Sequence, residues 1–144
     1  MTADDIWHKV FEQKNPEIAK EVSEEQKRLF YFIHFTIDIQ MGGFVYNHTP
    51  AQAGDNFYLP YIESLKFFGF TKAADLLTEF NDEYIKALST ANTADGWYDM
   101  CVEAGIEPLL QQVEVETNNI VDNELGSVTS WIAQHREKLI IGLQ

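Results

Sequence analysis

Leu29-Phe30-Tyr31-Phe32-Ile33-His34-Phe35-Thr36-Ile37-Asp38-Ile39 is the stretch on which the fold class turns. Tyr31, Ile33, Phe35, Ile37 and Ile39 alternate with Phe32, His34, Thr36 and Asp38, and alternation is the pattern of a strand. The surroundings argue the other way. Ser23 followed by Gln26 has the spacing of a capping box. The run from there to Met41 is long for a strand, and Gly42-Gly43 supplies a helix stop. The reading adopted is a buried helix, with His34 as a hydrogen-bonded core histidine.

Upstream, Thr2 with Asp5 opens a helix carrying Ile6, Trp7, Val10 and Phe11 at helical spacing. Asn15-Pro16 provides a cap and a first-turn proline for a second, short one. Downstream, a polar loop holds Gly54. Asn56 then caps a helix that turns Tyr58, Tyr61, Ile62, Leu65 and Phe68 inward and closes at Gly69. Thr71 caps the next, where Ala73, Leu76, Leu77, Phe80, Tyr84 and Leu88 face the core. Residues 92–96 form a loop, and a short helix runs from Trp97 to Ala104. Gly105 and Pro108 interrupt it, and residues 109–123 are helical. Val128, Trp131, Ile132, His135 and Leu139 form the stripe of one last helix. The expectation is an all-α protein, a single compact domain over 1–144 with six or seven helices.

Charge carries the functional signal. The 144 residues have a net charge of −13, and residues 73–144 contribute −10 of it. Between Asp75 and Glu124 the only base is Lys86. Such a field disfavours nucleic acid and anionic membranes as direct partners and favours a basic protein. Acids recur at four-residue spacing. Asp75, Glu79 and Glu83 form one row, with Asp82 beside it. Asp95, Asp99, Glu103 and Glu107 form another, although Gly105 and Pro108 make the place of Glu107 depend on the helix continuing. Stacked like charges cost a helix roughly 0.2–0.5 kcal/mol per pair. Carboxylates one turn apart rise about 6 Å, against phosphates spaced about 3.4 Å along each DNA strand. The candidate partner-binding surface therefore comprises these eight acids with Glu114 and Glu116. A plain solvated face explains the same charge.

Catalytic and metal sites lack support. His8, His34, His48 and His135 show no metal-ligand spacing, and no phosphate loop, dinucleotide fingerprint or nucleophile elbow is present. No cofactor is expected. An enzyme using His48 with Asp55 is the reading from another class, and a non-enzymatic protein is preferred. Cys101 is alone, so no internal disulfide forms, and it reads as a small buried hydrophobe. The N-terminus lacks the features of a signal peptide, and no apolar run approaches a membrane span. A cytoplasmic protein is expected.

Met41-Gly42-Gly43-Phe44-Val45-Tyr46-Asn47 resembles the N-G-G-F…(Y/F)-x-N signature of the DNA-mimic-like family of small acidic bacterial proteins, with Met41 where the family usually has Asn. The stretch Tyr61–Leu77, a helix, an aromatic-Gly turn and a second helix, is similar to that family. So is Trp131-Ile132-Ala133-Gln134-His135-Arg136-Glu137. The resemblance implies an all-α fold, which would settle residues 29–41 as helix. It implies structural roles for Gly42, Gly43, Phe44, Tyr46 and Asn47. It also implies a protein that occupies the DNA site of a basic DNA-binding protein, in the studied type as an acidic homodimer. Other relatives look like immunity proteins, so neutralisation of a basic toxin nuclease is the alternative function.

Overall fold

Residues 1–12, 22–41, 58–90, 96–141 and 143 are described in the computed structural model, and every regular element among them is helical. The elements are α1 (Ala3–Glu12), α2 (Glu24–Gln40), α3 (Leu59–Phe67), α4 (Thr71–Thr90), α5 (Trp97–Glu103), α6 (Glu107–Asn123), α7 (Leu125–Gln134) and α8 (Arg136–Leu139). The all-α expectation holds. The expected short helix at Asn15-Pro16 lies outside the described residues. The expected single last helix is two, because the chain breaks at His135. The backbone N–H of His135 is shared between the carbonyls of Trp131 and Ile132, and its Nδ1 also reaches the Trp131 carbonyl at 2.8 Å.

The decisive stretch is helical because it is central. α2 packs against α1, α3, α6 and α8. Leu29, Phe30, Tyr31, Phe32, Ile33, Phe35, Thr36 and Ile39 are all buried. A helix surrounded by neighbours needs apolar residues on most of its faces, and that erases the helical period. Phe32 sits between the rings of Trp7, Phe68 and Phe70, with centroids 5.1–6.1 Å away, which is the range of favourable aromatic contact. Buried residues from Ile6 to Leu139 form one apolar cluster.

Two expected caps are present. The Thr2 backbone N–H donates to Asp5 Oδ2 at 2.9 Å, and the Asp5 N–H donates to Thr2 Oγ1 at 3.1 Å. Ser23 and Gln26 exchange the same pair of bonds at 3.3 and 3.1 Å. Two others differ. α3 is capped at Tyr58, with Pro60 in its first turn and no side-chain cap bond, and the expected cap Asn56 lies outside the described residues. The Ala74 N–H donates to Phe70 O, which makes Thr71 the first helical residue and not the cap.

Matching turns lead into α4 and α6. Gly69 and Gly105 take φ of +84° and +75°. The N–H of Phe70 reaches back to Leu65 O at 2.9 Å, and that of Ile106 to Cys101 O at 3.0 Å. These are Schellman closures, in which glycine adopts the left-handed conformation without a Cβ penalty. A Cβ on Gly105 would meet no atom within 4 Å, so only backbone strain opposes it. Gly105→Ala should therefore cost about 1–2 kcal/mol in a denaturant melt, and a D-alanine at that position should cost nothing measurable.

His34 fastens α1 to α2. Its ring stacks on Phe11 and lies tilted against Phe30, with centroids 5.0 and 4.1 Å away. Its Nε2 lies 3.2 Å from the Phe11 carbonyl and as N–H donates to it. Burial holds the imidazole below its ordinary pKa, against smaller opposing effects of the Phe11 carbonyl and Asp38. The unfolded chain therefore takes up the proton first as pH falls. This contribution is complete above roughly pH 6.5 and fades from there towards the lower folded pKa. Cooling from the thermal midpoint should find the wild type losing more stability than His34→Gln between about pH 7.5 and 5.5. Equal losses would remove His34 from the account.

Candidate functional site

The acidic face begins on α4. Ala73, Ala74, Leu77, Phe80, Tyr84 and Ala87 are buried and fix the opposite side as solvent-facing. At about 100° per residue, Asp75, Glu79 and Asp82 fall within an arc of about 60°, and all three are exposed. Glu83 stands off this arc with its carboxylate 3.1 Å from Lys86 Nζ. The expected row Asp75-Glu79-Glu83 does lie on one continuous helix, within an arc of about 80°. Its third member is countered by the neighbouring ammonium, and Asp82 completes the outward set.

The second row does not survive as a row. Asp99 and Glu103 are exposed on α5, but the left-handed turn at Gly105 ends that helix, and Glu107 opens α6. Spacing of four aligns side chains only inside one continuous helix. Glu107 is half-buried, and its Oε1 accepts hydrogen bonds from the Tyr98 hydroxyl and from Gln111 Nε2. It ties α5 to α6. Asp95 lies outside the described residues, as do Gly42, Gly43, Phe44, Tyr46, Asn47, His48 and Asp55.

Glu114 and Glu116 are two residues apart and so point about 160° from one another around α6. Glu116 faces α4, where Lys72 Nζ lies 3.3 Å from its carboxylate, and the Glu116 side chain is only 16% exposed. Glu114 is half-buried on the other flank, and burial pushes its carboxyl above the ordinary value. Neither extends the α4 face. Among the described residues, the members of the expected ten-residue surface that are fully exposed are Asp75, Glu79 and Asp82 on α4 with Asp99 and Glu103 on the adjoining α5.

Cys101, beside this face, is fully buried, and burial pushes its thiol up to about 12. It is inert packing, as expected. Among the described residues no three His, Cys, Asp or Glu side chains are placed to hold a metal ion. No described helix is long and apolar enough to cross a membrane.

A feature that sequence reasoning missed lies between α4 and α6. An open groove of about 380 Å³ is lined by Leu76, Pro108 and Val115, with Gln111, Gln112 and the Lys72–Glu116 pair. Leu76, expected in the core, is only half-buried, and Val115 is 69% exposed. A valine between two glutamates gives no sequence sign of exposure. Only the register of α6, set by buried Leu110, Val113, Thr117 and Ile120, turns it outward.

A family model described as DMP19-like protein matches residues 20–135. No curated protein and no solved structure matches the chain.

Proposed function

The chain belongs to the DMP19-like protein family, and from that premise we propose a non-enzymatic, cytoplasmic binding protein that presents a DNA-like acidic surface to a basic DNA-binding protein and competes with DNA for it. The observation that carries this reading is the outward arc of Asp75, Glu79 and Asp82 on a continuous helix, in a segment whose only base from Asp75 to Glu124 is Lys86. Lys86 falls within this arc, with its ammonium 3.1 Å from Glu83, so three carboxylates face one ammonium and the arc keeps a net negative charge. Exposed carboxylates act on a basic partner as a field and steer its approach. No single one dominates, since an exposed pair is typically worth about 0–1 kcal/mol.

Capture from native lysate, washed at low and then high salt, tests the reading. The expected catch is a basic DNA-binding protein that leaves at high salt, because screening removes exposed charge attraction beyond roughly 8 Å at physiological ionic strength. A partner retained at high salt, or one without affinity for DNA, contradicts it. Glu79→Gln alone should weaken the captured complex less than about fivefold by titration calorimetry, since an exposed pair contributes about 1 kcal/mol or less.

A further inference from the structure

We infer that the α4–α6 groove seats an apolar side chain carried on a basic segment of the partner, so that the acidic face has an anchoring point as well as a field. The inference rests on the acidic-surface reading and deepens it. Its ground is the juxtaposition of two unlike features. The groove has an apolar lining of Leu76, Pro108 and Val115, and Val115 is 69% exposed. A single exposed valine is ordinary on a surface; here it forms one wall of a groove whose neighbouring acids set the charge around it. The volume of about 380 Å³ lies in the range of side-chain and small-ligand pockets.

Charge selects the occupant. Leu76 follows Asp75 directly and lies one turn from Glu79, both exposed. Lys72, the one cation among the described residues lining the groove, is already held by Glu116 at 3.3 Å. The surroundings are therefore net negative, and an apolar residue flanked by lysines or arginines fits where one flanked by acids does not. Such a residue supplies register. A field of carboxylates attracts any cation, whereas a groove accepts one residue at one place. The same division holds at other interfaces, where a buried anchor sets affinity and charges set approach.

Two synthetic peptides of equal positive charge, one with leucine and one with serine at its centre, separate the contributions by fluorescence anisotropy at low salt. The leucine peptide should bind the full chain about tenfold tighter, a difference of about 1.4 kcal/mol. Val115→Asp should erase that difference. Val115 is exposed, so the variant keeps its fold, and it adds a negative charge. A pure field would make it bind both peptides more tightly. Equal binding of the two peptides to the wild type, or tighter binding of both by Val115→Asp, overturns the groove and leaves the acidic surface standing. Binding of neither peptide at low salt overturns both.

Discussion

Replacing Gln26 with leucine should destabilise the protein by about 2–4 kcal/mol, the sum of a lost cap bond and buried carbonyl oxygens left without a donor. Gln26 is 1% exposed and uses its whole amide. Its Oε1 accepts from the Ser23 backbone N–H at 3.3 Å. Its Nε2 donates to Leu139 O at 2.6 Å and to Ile141 O. Ser23 Oγ adds a long contact of 3.4 Å to Lys138 O. One side chain therefore starts the central helix and holds the end of α8 against it. Leucine fills similar volume, so a cavity does not explain the loss. Gln26→Glu is the sharper variant. It replaces the donating NH₂ with an oxygen facing two carbonyl oxygens, and should be at least as damaging at neutral pH. Acid should restore part of the loss, since a protonated carboxyl donates one bond. Chemical denaturation at two pH values measures both. A Gln26→Leu protein of wild-type stability would show that the C-terminal segment is held by other contacts.

Reversing Asp75, Glu79 and Asp82 together to lysine should abolish binding of the basic partner, a loss of at least about a hundredfold, or about 2.7 kcal/mol. All three side chains are exposed, and the change exchanges one set of like charges for another. Helix content and the unfolding midpoint should therefore stay close to wild type. Reversing Asp75, Glu79 and Glu83, the row suggested by spacing alone, should cost less. Glu83 is already engaged by Lys86 and lies off the outward arc. Equal losses from the two triples would mean that total charge matters and its placement does not.

Local signals in the sequence were legible, and distant ones were not. Thr2 with Asp5 and Ser23 with Gln26 are capping boxes because their partners lie three residues away. Gly69 and Gly105 close helices for the same local reason. The alternating run at 31–39 misleads because period reports burial on one face, and α2 is buried on nearly all. Gln26 could not be seen to bind Leu139, nor Lys72 to meet Glu116, since those contacts join distant segments. The acidic rows mixed the two cases. Asp75 and Glu79 share a helix, so their spacing meant proximity. Glu103 and Glu107 are separated by a left-handed glycine, so theirs did not. Glu114 and Glu116 diverge by the pitch of a single helix, which sequence alone discloses.

Displacement of DNA tests the central claim most directly. A labelled duplex is bound to the captured basic protein, and the wild-type chain is titrated in while anisotropy is followed. The expected result is release of free duplex with stoichiometric uptake of the basic protein by the chain, weakening steeply as salt rises, and no release by the Asp75, Glu79, Asp82 triple reversal. A ternary complex that keeps the duplex, or release unaffected by the reversal, would contradict DNA mimicry and leave the acidic face of α4 as solvated charge.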